Sequence, residues 1–419
     1  MASIFAEKRQ DTLNRFYTRT AVGELLVDQL GDVRPQNVLD LGAGEGSLSA
    51  AVAARWPGIE AVTVDLDSGI AEGLHERLKQ AGVGLHRHRL NDVLDSALPE
   101  HLADHGLFDL AVCNPPFFRP DWSRDYARIL QHADFADACP STADATAEIL
   151  FLAQNLRMVR DGGKIALIAP DGLLTGWRSS AFRRALMDRH RIDCVLQLPN
   201  HSFHDTEARC FVLIVTKNAG PTEQAKLLRY DATDGLSLPI IISRNDAETR
   251  MDFDFHAHRD GRGGQVTTLR ELGAEVKRGS LDTVARKAAG FPTFHTTDYR
   301  GIAGGIVTLE ADFASPDKPK LVIAEAGDIL LARVDRNLHE KVVMVAGGRA
   351  AVTDCIYRVR VPDKVRASVF DALRSPAGMA SLLAATKGVS ARLLGKADLL
   401  DLPLQLPAES PFFEELFKE

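Results

Sequence analysis

Between residues 37 and 217 short apolar runs alternate with amphipathic stretches, and this alternation limits the possible folds more than any other feature of the chain. Runs at 37–41 (NVLDL), 61–65 (AVTVD), 84–90, 107–113 (LFDLAVC), 164–169 (KIALIA), 192–198 (IDCVLQL) and 210–217 (CFVLIVTK) have the length and composition of strands. Most are separated by helical patterns, such as 69–81 and 144–160, with apolar residues three and four apart. Strands alternating with helices predict an α/β fold built on a mostly parallel sheet covered on both faces. The last two runs are joined by a loop, NHSFHDTEAR, with no helix, so they can pair antiparallel.

After about residue 218 the strict alternation is lost and glycines cluster at 261, 263 and 264. The expected organisation is therefore a first domain over 1–217, a connector over 218–265 with some strand content at Pro239–Ser243, and a second unit over 266–419. That second unit mixes short strands with a helical pattern at 364–386. No internal repeat or low-complexity tract interrupts it.

Composition narrows the class. With 45% hydrophobic and 26% charged residues the chain reads as an ordinary soluble protein. No apolar run approaches the roughly 18 residues of a membrane span, and the first residues lack the apolar stretch of a secretory signal. Five scattered cysteines without a C-x-x-C pair argue against a zinc ribbon or disulfide framework and fit a reducing cytoplasm. The net charge of −7 disfavours a chain that holds nucleic acid through a global basic surplus, while leaving room for a local basic face.

The first strand leads into DLGAGEG (40–46), followed by a helix. Glycines let such a loop turn sharply and approach a ligand at the carboxyl edge of a parallel sheet. Position 47 is Ser and the glycine falls at 46, which departs from the dinucleotide spacing G-x-G-x-x-G. Asp65, ending the second strand, can accept two ribose hydroxyls, and Asp92, after the third, can accept from an adenine amino group; a turn or helix-cap role is the alternative for each. Thr18 or Thr20 can cap the helix expected within 16–30, whose N-terminus suits a carboxylate.

The fourth strand runs directly into Asn114-Pro115-Pro116-Phe117. The prolines stop the strand and keep the backbone extended, so the Asn114 amide oxygen and the Pro115 carbonyl can both accept from one amino group. An exocyclic amine has its lone pair delocalised into its ring. Two acceptors on its hydrogens favour a pyramidal nitrogen that can attack a sulfonium methyl, so catalysis would rest on positioning and electrostatics. Phe117 offers a face for a base to stack on, and a duplex base would have to be flipped out to reach it.

In this order, FYT (16–18), DLGAGEG, Asp65, NDV (91–93) and NPPF resemble the gamma class of DNA adenine-N6 methyltransferases, which includes type I modification subunits and stand-alone type II enzymes. DGGKIALIAPDGLLTG (161–176) and VLQLPNHSFHDTEARCFVLIVTK (195–217) are similar to later motifs of the type I subunit. The resemblance implies a Rossmann-like seven-stranded methyltransferase sheet and S-adenosyl-L-methionine as cofactor. In it Thr18 contacts the cofactor carboxylate, Asp40, Gly42 and Gly44 cradle the methionine part, Asp65 holds the ribose and Asp92 the adenine. Asn114, Pro115, Pro116 and Phe117 hold the target base, and Phe203 either stacks on its other face or anchors its loop as a core residue. Arg19 follows Thr18 where the class usually has Pro.

GDILLARV (327–334), AAVTDCIYRVRV (350–361) and KGVSARLLGKADLLDLPLQLP (387–407) resemble, in order, a target-recognition domain of a type I specificity subunit. That resemblance implies a mixed α+β reader of duplex DNA fused to the catalytic domain. Arg333, Arg336, His339 and Lys341 then lie where such a domain reaches DNA; a solvated charged face is the alternative. The implied enzyme is a site-specific adenine methyltransferase that modifies without cleaving, with room for a separate restriction or defence-system subunit and with its oligomeric state open. The competing functions are an RNA or protein-glutamine N-methyltransferase and a non-catalytic DNA-binding subunit. His86-x-His88 and His256-x-His258 lack a third ligand at a convincing spacing, so no metal site is expected.

Overall fold

The computed structural model describes residues 20–141, 144–199, 202–203, 209–259, 266–302, 304–310, 321–387 and 391–406. The chain divides into two compact units, Met1–Phe253 and Asp254–Glu419.

The first unit is built on one sheet. Its strands are β1 (Asn37–Leu41), β2 (Glu60–Asp65), β3 (Leu85–Leu90), β4 (Phe108–Cys113), β5 (Val159–Pro170), β6 (Arg191–Gln197), β7 (Cys210–Thr216), β8 (Gln224–Asp231), β9 (Gly235–Leu236) and β10 (Ile240–Ser243). The order across the sheet is β10-β8-β6-β7-β5-β4-β1-β2-β3, with β9 paired to β8. β1 pairs in parallel with β2 and with β4, and β4 with β5, while β7 runs antiparallel to both β5 and β6. The expected antiparallel pair at the end of the alternation is thus present. β7 is buried along its whole length, as its unbroken apolar run requires of a central strand.

The helices of this unit are α1 (Thr20–Asp28), α2 (Ser47–Arg55), α3 (Ala71–Gln80), α4 (Leu98–His101), α5 (Arg124–His132), α6 (Ala147–Met158), α7 (Asp171–Thr175), α8 (Ser180–Arg189) and α9 (Arg244–Thr249). Leu26 of α1, Val52 of α2 and Leu74 and Leu78 of α3 pack with Val38 and Ala61 of the sheet in one hydrophobic cluster. Among the residues described, no helix is long and apolar enough to cross a membrane.

The expected connector over 218–265 requires correction. β8 pairs in parallel with β6, and β10 pairs antiparallel with β8, so residues through Ser243 extend the sheet. The first unit ends near Phe253 rather than at 217. β10 is the edge strand, and one of its sides stays wet: Ile241 is 55% exposed. β8, with Lys226, Arg229 and Asp231 in its run, lacks the continuous apolar signature of the central strands.

In the second unit, a five-stranded sheet runs Glu275–Arg278, Ile356–Arg360, Ile329–Ala332, Val342–Gly347 and Ile306–Thr308. A three-stranded sheet orders Thr293–Phe294, Arg349–Val352 and Ile323–Glu325. The single helix expected over 364–386 is two, Asp363–Arg374 and Pro376–Ala385. Pro376 lacks the N–H that a continuing helix needs, and Ser375 caps the new one by accepting from Gly378 N at 3.0 Å. Ile329, Leu331, Val359, Phe370 and Leu382 belong to this unit's own core.

Candidate active site

The carboxyl ends of β1, β2 and β4 open into one cleft lined by Asp40, Gly42, Gly44, Asp65, Leu66, Asp92, Asn114, Pro116, Phe118 and Phe151, among others. The loop after β1 is tied to β2 by Gly42 N and Ala43 N donating to Val64 O at 2.8 and 3.2 Å. Gly42, Gly44 and Gly46 all have positive φ (70°, 51° and 76°), which explains glycine at each position. A side chain on Gly42 would also meet Phe151 Cε1 at 3.1 Å, and one on Gly46 would overlap Leu74. The loop therefore stays thin, with its backbone forming the cleft floor.

Asp65 is 6% exposed, and its carboxylate accepts from Gly44 N at 2.8 Å through Oδ2 and from Asp67 N at 3.0 Å through Oδ1. Each oxygen retains a second lone pair, so the carboxylate is held rigidly and can still accept from a vicinal diol. Asp92 is exposed and accepts from Leu94 N at 2.8 Å, so it forms a turn and lines the cleft at once. The turn role weighed for it from sequence is thus present, and the residue also faces the cleft. Asp40 points its carboxylate at Ser49, whose hydroxyl donates to it at 2.6 Å. Burial drives the Asp40 pKa up to about 7, with the charge of Asp65 adding to the rise and the Ser49 hydrogen bonds opposing it. This cradle, with its diol acceptor at the end of β2 and apolar walls at Leu66, Val93 and Phe151, fits a nucleoside-bearing cofactor.

Asn114 continues directly from β4, half-buried, and lines the same cleft. Pro115 is buried beneath it, and Pro116 O accepts from Phe118 N at 3.2 Å in a tight turn. That turn brings Phe118 to the cleft, while Phe117 packs against the hydrophobic cluster of the unit. Two supports from α6 escaped sequence reasoning. Phe151 walls the loop after β1, and buried Gln154 donates to Val93 O and Asp95 O, both at 2.7 Å, fixing the segment that carries Asp92.

Other expected residues fall elsewhere. Thr18 lies outside the described residues. Phe203 is 2% exposed within the core cluster, so it sits as a core residue and offers no open face to a base. In the second unit Lys341 is engaged by Asp335 at 2.6 Å and Thr296 O at 3.1 Å, and Arg333 donates to Asp354 O at 2.7 Å. Both thus brace the fold, and Arg336 is exposed. His86 and His88 share Thr63 as a hydrogen-bond partner at 2.9 and 3.0 Å, and His256 is buried edge-on to Phe255 rather than solvated. Among the described residues no group of three His, Cys, Asp or Glu is placed to hold a metal ion.

Residues 1–239 match the family profile described as N-6 DNA Methylase. The chain is 26% identical over 113 residues, 26% of its length, to the type I restriction enzyme MpnII methylase subunit of Mycoplasma pneumoniae, of which it covers 21%. It is 34% identical over 110 residues, 24% of its length, to a tRNA1(Val) (adenine(37)-N6)-methyltransferase of Porphyromonas gingivalis, covering 41% of it. The chain thus spans less than half the length of either relative. Among solved structures, the type IIG restriction endonuclease BpuSI aligns over 93% of this chain and 58% of its own, with a TM-score of 0.52 and 15% identity, a likeness of fold.

Proposed function

The chain belongs to the N-6 DNA methylase family, and we propose that it methylates N6 of adenine in duplex DNA at a specific sequence. The observation carrying this reading is Asn114-Pro115-Pro116, set at the mouth of β4 in the same cleft as Asp65 and Asp92. S-adenosyl-L-methionine, when bound, supplies the activated methyl group. Asp65 holds its ribose, Asp92 its adenine, and the thin glycine loop of residues 42–46 its methionine end. The Asn114 side-chain oxygen and the Pro115 carbonyl accept from the amino group of the target adenine, releasing its lone pair toward the methyl carbon. Phe118, with Phe117 beside it, gives the flipped base an aromatic wall. The 254–419 unit reads sequence, with exposed Arg336 at its DNA-facing side.

One observation favours a second reading: the likeness to tRNA adenine-N6 methyltransferases, whose target is the same amino group in RNA. The second unit is what separates the two, since a duplex reader predicts one recurring methylated sequence. Transfer of labelled methyl to unmethylated duplex DNA, with RNA alongside, tests this. Label on adenine N6 at one recurring DNA sequence is expected. Label on RNA alone would keep the catalytic chemistry and overturn the reader.

A further inference from the structure

The chain has three tryptophans, and they are placed very differently. Trp56 packs against the core of the first unit. Trp122 and Trp177 are 45% and 72% exposed and sit on the segments that leave the carboxyl ends of β4 and β5. Those strands are parallel neighbours, with Cys113 opposite Leu167, so both segments rise from the sheet edge that carries Asn114. Trp177 is not among the residues lining the cleft.

Trp177 is exposed on a rigid mount. It opens a turn held by Arg183, which is 1% exposed and donates to Leu173 O and Gly176 O at 2.8 and 2.9 Å. Arg183 also donates to Glu248 O and Thr249 O, each at 2.7 Å, which anchors the turn to the end of α9. Gly176 just before it has no room for a Cβ, which would overlap Gly172 O. Ser179 closes the turn by donating to Gly172 O at 3.1 Å. A fully buried arginine spent on four carbonyls is a costly way to hold a surface turn unless its geometry matters.

The Arg178 guanidinium lies 5.4 Å from the centre of the Trp177 ring, so one face carries a cation while most of the residue stays open. Exposed Arg119 and Arg124 flank Trp122 on the neighbouring segment, Arg119 also acting on the buried Glu148. An open indole backed by a cation is matched to a flat, electron-rich partner on a polyanion.

We propose that Trp177 and Arg178 form a fixed DNA contact beside the active site, the indole stacking on a base next to the extruded adenine and the guanidinium taking a backbone phosphate. This rests on the reading of the chain as a DNA methyltransferase. Binding of the full-length protein to a short duplex carrying its methylation site, with S-adenosylhomocysteine present, tests it in Trp177→Ala and Trp177→Phe. Trp177→Ala is expected to weaken DNA binding about ten-fold, roughly 1.4 kcal/mol, and Trp177→Phe to restore it to within about three-fold. Melting temperature and S-adenosylhomocysteine affinity should stay at wild-type values, because the side chain is exposed and outside the cleft. If wild type methylates the duplex and Trp177→Ala binds it equally well, the contact is overturned while the function stands. If wild type methylates no duplex, the functional reading falls first and the contact with it.

Discussion

Asp40 pairs a structural cost with a place in the cleft. Its folded-state pKa, about 7, lies above the ordinary 3.8 because burial penalises the charged form. Between those values the folded protein keeps a proton that the unfolded chain has lost, so stability falls as pH rises through the window and is flat above it. Asp40→Asn removes the titration. Urea unfolding of the cofactor-free protein should find this variant more stable than wild type at pH 8, by up to about 4 kcal/mol, with the gain vanishing near pH 4. An equal difference at both pH values would mean that Asp40 ionises freely in the fold. On the proposed mechanism Asn114 should behave oppositely, mattering little to stability and greatly to transfer. Asn114→Ala should lower kcat by roughly 10²–10³ or more while leaving the cofactor dissociation constant near wild type. Normal turnover would remove the acceptor mechanism. The place of Asp40 and Asn114 at strand ends lining one cleft was legible in sequence, because strand and following loop are adjacent in the chain. The exchange of Phe117 for Phe118 at the cleft was not, since it depends on the hydrogen bond from Phe118 N to Pro116 O, which only coordinates reveal.

The loop from β1 into α2 separates two reasons for a glycine. Gly44 has positive φ and open space around an added Cβ, whereas Gly46 has positive φ and Leu74 in the way. Gly44→Ala should cost about 1 kcal/mol from backbone strain alone, and Gly46→Ala about 2–4 kcal/mol as overpacking against Leu74 is added. Denaturant unfolding of the two variants checks the order, and equal losses would show that α3 yields freely to the loop. β1 and this loop were readable from sequence because strand, glycines and helix follow one another directly. The service of α6 was not, because Gln154 reaches the backbone of residues about 60 positions earlier and leaves no periodic trace. β8 escaped for a related reason: its mixed run QAKLLRYD becomes a strand through its partners β6 and β10, whereas the apolar run of β10 was legible as strand content.

Charge is divided unevenly over the molecule. Residues 1–253 carry 27 Lys and Arg against 35 Asp and Glu, and residues 254–419 carry 23 against 22. On the proposed function, a duplex would meet net repulsion from the first unit and near neutrality from the second. In the second unit many cations are already matched: Arg278 to Asp354, Lys341 to Asp335, Arg360 to Asp328 and Glu325. Such binding would come from few phosphate contacts, so affinity should depend on salt far less than in strongly basic DNA-binding proteins. With about three or four phosphates neutralised, log K against log salt is expected to slope about −3 to −4. Arg336→Ala should reduce that slope by about 1 and weaken binding to all sequences alike, leaving the methylated site unchanged. A changed methylated sequence would instead make Arg336 a base contact, and an unchanged slope would remove it from the DNA face. The motif order in residues 327–361 singled out Arg333, Arg336 and Lys341 as candidate DNA contacts. Burial then divided these cations, because Arg333 and Lys341 spend their hydrogen bonds on the fold and so have fewer to offer a phosphate.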